Sequence, residues 1–237
     1  MKTIAGKHIV LTGATSGIGR CLARILNREG AGLAVCGRSP QKMDQLTAEL
    51  ENPEAPFYSE LFDISEEARI AAFLENTRSR LGSVDVLVNC AGVNSERARV
   101  EDITTDQLEW MLKINLTAPF VFMREVYREM RDRKEGMIIN VLSTVCNYSN
   151  EGIASYTASK AGLDALTKVL RKEAREYNVK ICSVYPGGVN TEFRSEPRPL
   201  YMGPETVAES IVSMMKMNED ACVDELVLRP MIEKNYS

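Results

Sequence analysis

Short, almost continuously apolar runs alternate along the chain with longer stretches whose apolar residues recur at helical spacing. The short runs are rich in β-branched residues. They predict strands at His8–Leu11, Gly32–Cys36, Ala55–Phe62, Val84–Val88, Met137–Val141, Val179–Val184 and Glu225–Leu228. Helical patterns lie between them, near Ile18–Glu29, Gln41–Glu51, Glu66–Leu81, Asp106–Arg131, Ala154–Tyr177 and Pro204–Lys216. Strands that are apolar at nearly every position are those covered on both faces. Their alternation with helices predicts an α/β fold, an open, doubly wound parallel sheet of about seven strands flanked by helices on both faces. No Pro/Gly/Ser linker, charge block or repeat divides the chain, so residues 1–237 read as one domain.

Composition changes this picture mainly by exclusion. Hydrophobic residues at 44% and charged residues at 26% are ordinary for a globular protein. A net charge of −4 gives no general attraction to nucleic acid or to an anionic membrane. No apolar run approaches the ~18 residues of a membrane span. Charge returns at Lys7 before a signal-peptide core can build, so a cytoplasmic location is expected. The six cysteines (Cys21, Cys36, Cys90, Cys146, Cys182 and Cys222) are scattered without a C-x-x-C, and several sit in apolar runs. Free, buried thiols are expected there rather than disulfides or zinc ligands. His8 is the single histidine and precedes the first strand. Ser-His-Asp hydrolysis and multi-histidine metal sites are thereby excluded unless His8 alone supplies the imidazole, and no metal is expected.

Ligands of a doubly wound sheet bind at the carboxyl ends of its strands. The first strand runs into T-G-A-T-S-G-I-G, Thr12–Gly19. Gly13, Gly17 and Gly19 allow a tight turn and close approach of a ligand, and the following helix start favours an anion such as a pyrophosphate. The spacing is neither G-x-G-x-x-G nor a P-loop, and a glycine turn that binds nothing is the plain alternative. The second strand ends in C-G-R-S. It has no carboxylate to hold a ribose 2′-hydroxyl, whereas Arg38 and Ser39 suit a 2′-phosphate. NADP(H) is therefore predicted over NAD(H), against a merely solvated arginine. Asp63, after the third strand, can accept from an adenine amino group or cap the next helix. Asn89–Gly92 (N-C-A-G) is small enough to let a cofactor pass, although turn chemistry alone would also explain it.

Farther on, Asp106 and Glu109 form a D-x-x-E helix start, and Leu108, Met111 and Leu112 mark an apolar face on which Asn115 falls. Pro119 has no N–H to give the Asn115 carbonyl. A buried polar side chain and a freed carbonyl coincide, to be satisfied by an ordered water or by neighbouring protein groups. Ser143 follows the fifth strand, and the stretch S-Y-T-A-S-K places Tyr156 and Lys160 on one helix face. A phenol ordinarily ionises near pH 10. A neighbouring ammonium makes it a stronger acid, and Ser143 can bond an oxygen on which negative charge develops. Such a pair alone is more often a surface pair; the joint pattern argues for chemistry.

Together these residues resemble the short-chain dehydrogenase/reductase family, of the short single-domain, NADP-preferring type. The likeness runs from Lys7 to about Pro230. It rests on T-G-A-T-S-G-I-G, Asp63–Ile64, N-C-A-G, the Asn of K-I-N-L, Ser143, Y-T-A-S-K and P-G-G-V-N-T at Pro186–Thr191. The resemblance implies a Rossmann-type fold and a tetrad. In it Tyr156 is general acid/base, Lys160 tunes it, Ser143 positions the substrate oxygen and Asn115 holds a proton-relay water. It implies a cofactor held by Gly13, Ser16, Gly17, Ile18 and Gly19, by Arg38 and Ser39, and by Asp63 and Ile64. Asn89, Ala91 and Gly92 continue the cofactor site, with Tyr156 and Lys160. Pro186, Gly187, Val189 and Thr191 would seat the nicotinamide.

A homotetramer or homodimer is further implied, suited by small residues at Ala154, Ala158, Ala161, Gly162 and Ala165. Cys90 departs from the commoner N-N-A-G. The stretch from Thr191 to Pro204 is short for a substrate lid, which argues against a long acyl substrate. The tail V-D-E-L-V-L-R-P (Val223–Pro230) resembles the branch acting on small 3-hydroxy acids, including serine-type dehydrogenases. Candidate substrate residues are Ser143, Tyr156, Asn94, Asn147 and Gly188, with Val93, Val145, Cys146, Tyr148 and Phe193 around them. Arg194 and Arg198 are candidates to grip a carboxylate, solvated loop arginines being the alternative. Trp110 and Met214–Met217 read as packing residues. The leading expectation is an NADP(H)-dependent oxidoreductase interconverting a small carbonyl compound, such as a hydroxy/oxo acid, and a secondary alcohol. A 3-oxoacyl thioester reductase is second, and a non-catalytic NADP-binding regulator or a sugar-nucleotide epimerase would be of another class.

Overall fold

The computed structural model describes residues 3–95, 97–193 and 196–234. Among them, seven parallel strands form one sheet: β1 (His8–Thr12), β2 (Gly32–Gly37), β3 (Phe57–Leu61), β4 (Val86–Asn89), β5 (Gly136–Val141), β6 (Val179–Pro186) and β7 (Glu225–Leu228). Their order is β3-β2-β1-β4-β5-β6-β7. β1 and β4 are thus neighbours although the chain visits β2 and β3 between them, and this reversal opens a crevice at their carboxyl ends.

Strand side chains alternate between two cores. Ile9, Leu11, Leu33, Val35, Val86 and Val88 meet residues of α1 (Gly17–Arg28), α2 (Pro40–Ala48) and α7 (Pro204–Met215). Val10, Ala34, Leu87 and Ile138 meet α3 (Glu67–Leu81), α5 (Ala118–Arg133) and α6 (Ala154–Ala174) on the other face. A strand period of two with helices on both sides is what makes the strand sequences apolar throughout. The edges differ. β3 leaves Leu61 in solvent (43% exposed), and β7 leaves both Glu225 and Val227 there (Val227 42% exposed).

The predicted helix from Asp106 to Arg131 is instead three pieces: α4 (Thr105–Leu112), a π-helical turn (Lys113–Thr117) and α5. The start signal lies two residues earlier than D-x-x-E, at Thr104–Gln107. Thr104 accepts from the Gln107 backbone, and the Gln107 side chain returns a bond to the Thr104 N–H. The π turn carries Asn115 and ends at Thr117, two residues before Pro119, whose missing N–H cannot serve the ordinary ladder. α2 stops at Ala48 rather than Glu51, because the segment beyond it is captured by another element: Asn27 Nδ2 donates to Asn52 O (3.0 Å) and Asn52 N donates to Asn27 Oδ1 (2.9 Å). Met214 and Met215 are buried, but Met217 and Trp110, also read as packing residues, are 40% and 37% exposed. None of the described helices is long and apolar enough to cross a membrane.

Candidate active site

A cleft of about 710 Å³ follows the carboxyl ends of β1, β2, β4, β5 and β6. Its floor at β1 is the glycine loop. Gly13 has φ +71°, and a Cβ there would lie 2.8 Å from the Ala91 backbone. A glycine is therefore demanded twice, by conformation and by close approach of the loop after β4. Thr12 fixes that approach, its Oγ1 accepting from the N–H groups of Cys90 and Ala91, each at 3.1 Å. Ser16 is the N-cap of α1 but makes no side-chain cap bond, and no acidic residue stands in the first turn. The helix start thus presents N–H groups to the cleft without a carboxylate to compete for them.

At the end of β2, Arg38 enters the cleft, its Nη1 donating to Asp63 Oδ2 at 3.2 Å. Asp63 also accepts from the Ser65 N–H at 2.8 Å, and these bonds hold its carboxyl below the ordinary carboxylate range against the opposing effect of burial. Both sequence alternatives for Asp63 meet here, because it braces the turn before α3 and lines the cleft. Ser39 does not line the cleft. It caps α2, accepting from the Lys42 N–H at 3.3 Å. Lys42, one turn along α2, does reach the cleft, where its Nζ pairs with Glu192 at 2.8 Å. No sequence signal marked Lys42. Its place in the cleft with Arg38 follows from the fold.

The Asn89 side chain turns inward. Its Nδ2 donates to Asn140 Oδ1 at 2.9 Å, and Asn140 in turn donates to Thr167 Oγ1 at 2.9 Å. Asn89 thus ties β4 to β5 beneath the cleft, while Ala91, Gly92, Val93 and Asn94 line it. The Asn115 side chain is wholly engaged by protein. Nδ2 donates to Val93 O (2.8 Å) and Ser159 Oγ (3.0 Å), and Oδ1 accepts from Val93 N (2.8 Å). Any water held by this residue would have to be served by its backbone carbonyl.

Over β5, Ser143 caps a short 3₁₀ turn, its Oγ accepting from Val145 N at 3.3 Å. Tyr156 and Lys160 lie one turn apart near the start of α6, and with Ser143 they face the same cleft. The Tyr156 ring is buried against Val93, Met111, Val145 and Ile153, with the Phe193 ring 6.0 Å away between centroids. Lys160 is buried as well. Its Nζ donates to Val141 O at 2.9 Å, and loss of hydration lowers its pKa to about 8. A Cβ at Gly92 would stand 3.4 Å from that nitrogen. The Cys90 thiol beside it is pushed up to about 12 by burial and is a neutral neighbour.

The wall after β6 contains Pro186, Gly187, Val189, Thr191 and Phe193. Gly188 and Asn147 do not line the cleft. The Gly188 N–H is taken by Glu233 at 2.7 Å and Tyr201 covers its Cα, while Asn147 is exposed beyond the 3₁₀ turn. Cys146 and Tyr148 also lie off the lining, as does Arg198, whose guanidinium pairs with Glu196. Arg194 lies outside the described residues. Arg97, Glu151, Tyr201, Glu233 and Lys234 are lining residues that the strand-end search did not reach. They come from longer loops and from the end of the chain. Among the described residues, no group of His, Cys, Asp and Glu could hold a metal ion.

Glycine floor, free helix N–H groups and a cationic rim fit a phosphate-bearing dinucleotide, and a Ser, a Tyr and a Lys converge at the other end. The fold and cleft define a nucleotide-cofactor oxidoreductase, a class the comparisons narrow further. The profile of the family described as short chain dehydrogenase matches residues 7–200. A 2-dehydro-3-deoxy-D-gluconate 5-dehydrogenase of Formosa agariphila is 30% identical over 78% of this chain and 70% of its own length. An alcohol dehydrogenase from the archaeon Thermococcus sibiricus, solved with 5-hydroxy-NADP, superposes with a TM-score of 0.88 at 26% identity. That match covers 96% of this chain and 98% of the other. A metagenomic short-chain oxidoreductase solved with NADP gives 0.86 at 28% identity over 97% and 99%. The chain belongs to the short-chain dehydrogenase/reductase family.

Proposed function

We propose that this oxidoreductase uses NADP(H) to interconvert a compact carbonyl compound and its secondary alcohol, within a single domain. The observation carrying this reading is that Ser143, Tyr156 and Lys160 line the same cleft as Gly13, Arg38 and Lys42. The bound nicotinamide supplies the hydride in reduction and accepts it in oxidation. Tyr156 gives its hydroxyl proton to the substrate oxygen in reduction and takes one back in oxidation. Ser143 donates to the same oxygen. The Lys160 ammonium lowers the cost of the phenolate left behind, and a dry surround strengthens that effect.

Two features support NADP(H). Arg38 and Lys42 now pair with carboxylates at the protein surface, and such exposed pairs are worth ~0–1 kcal/mol. A 2′-phosphate offers each a charge-assisted bond of ~1.5–3 kcal/mol, enough to draw them away. Two solved relatives carry NADP or a derivative in their descriptions.

A small substrate is supported by the bulky Phe193 and Tyr201 lining the cleft, where Arg97 and Lys234 are cations available to a carboxylate. The Formosa relative's name denotes an oxo acid. The test is NADPH oxidation across a panel of hydroxy/oxo acids, simple ketones and 3-oxoacyl thioesters. Turnover is expected with the compact acids or ketones; turnover confined to the thioesters would reverse the substrate assignment.

The lowered Lys160 pKa sets a pH profile. The ammonium is charged below about 8 and is lost as pH rises through that value, so kcat/KM for carbonyl reduction is expected to fall there. A profile flat from pH 7 to about 10, where an unperturbed lysine titrates, would refute that role.

A further inference from the structure

Cys182 and Cys222 stand apart from the cleft. Cys182 lies in β6 and is 1% exposed, while Cys222 lies in the run leading into β7 and is partly exposed. Their sulfurs are 3.7 Å apart. The surrounding backbone is pinned on both sides of Cys222. Before it, Lys180 Nζ donates to Asn218 O (3.0 Å) and Ala221 O (2.6 Å). After it, Ser183 N and Arg171 Nη2 donate to Asp224 O at 2.9 and 2.8 Å. The thiols are therefore held together by backbone hydrogen bonds rather than by chance rotamers. A sulfur–sulfur bond is about 2.05 Å long, so closure asks for an approach of ~1.7 Å, the scale of a side-chain rotation.

A surface cleft of about 140 Å³, lined by Cys222, Arg171, Arg175 and Lys180, gives a small reagent access to Cys222 but not to Cys182. The Cys182 thiol hydrogen-bonds Cys222 and lowers its pKa, with the Arg175 charge helping, while burial and the same partnership raise that of Cys182. Burial pushes Cys21 and Cys146 up to about 11 and Cys36 and Cys90 up to about 12. Cys222 alone combines access, a favoured thiolate and a second thiol in reach.

We propose that Cys182 and Cys222 form an oxidisable pair that a hydroperoxide converts to an intramolecular disulfide, with Cys222 as the attacking sulfur. Cys222 Sγ bonds to one peroxide oxygen and the O–O bond breaks. The second oxygen leaves as water, or as an alcohol from an organic hydroperoxide, and Cys222 becomes a sulfenic acid. Cys182 Sγ then attacks the Cys222 sulfur, and the hydroxyl leaves as water with the Cys182 proton. Two thiols give up two electrons and the peroxide takes both. The bridge encloses the segment from Pro186 to α7, including the wall of the cleft after β6.

The test treats the intact, reduced protein with hydrogen peroxide and reads whole-protein mass, followed by non-reducing peptide maps. The expected result is a mass lower by two hydrogens, a single Cys182–Cys222 cross-linked peptide, and reversal by dithiothreitol. Cys182→Ser is expected to accumulate a Cys222 sulfenic acid that a dimedone probe captures, and Cys222→Ser to give no cross-link. A cross-link between other cysteines, oxygen added to Cys222 of the native protein without a bridge, or no mass change would each overturn the proposal.

Discussion

Tyr156→Phe is expected to lower kcat for carbonyl reduction by about 10²–10⁴-fold, the usual worth of a positioned proton donor. NADPH affinity should weaken by no more than about tenfold, the value of one neutral hydrogen bond. The split follows from where the ring sits. Its body packs on Met111, Val145 and Ile153, contacts that phenylalanine reproduces at nearly equal volume. What disappears is the hydroxyl at the end of the cleft shared with Ser143 and Lys160. Steady-state turnover and a cofactor fluorescence titration on the same preparation measure the two effects separately. Retained turnover in the variant would mean that the proton comes from another group, and the assignment of Ser143 and Lys160 as its helpers would go with it.

Arg38→Ala and Lys42→Ala are expected to weaken NADPH binding by about 10- to 100-fold each, the loss of a charge-assisted bond, and to leave NADH binding nearly unchanged. The two effects should not add, since both cations would hold one phosphate. Arg38→Ala should not disorder the rim, because Asp63 keeps its bond from the Ser65 N–H at 2.8 Å. The ratio of kcat/KM for NADPH and NADH reports the change. A ratio that both variants leave untouched would refute the 2′-phosphate reading.

The layering of this fold was readable because its inner strands are covered on both faces, so most of them announce themselves as nearly continuous apolar runs. The strand-end rule then led to the glycine loop, Arg38 and Ser143, and helix-face spacing to the Tyr156–Lys160 pair, without any knowledge of distance. What escaped depends on contacts between remote segments. The end of α2 is set by Asn27, 25 residues from Asn52. Asn89 looked like a lining residue because it follows a strand, yet Asn140 lies 51 residues away in the neighbouring strand and claims its amide. Lys42 reads as an ordinary helix-surface lysine until α2 is set against the loop after β6. Cys182 and Cys222 share no motif because the pairing of β6 and β7 brings them together. Pro119 did signal a disturbed helix, but a missing N–H does not say whether the ladder breaks, kinks or widens into a π turn.

That π turn bears on how variants of Asn115 should be read. The amide of this residue clasps both backbone groups of Val93 and steadies Ser159 on the helix that carries Tyr156. Alanine there would leave the backbone carbonyl in place but dismantle a truss joining three segments. A slow enzyme with that change would therefore report mechanical sag, which a measurement of loop position would register.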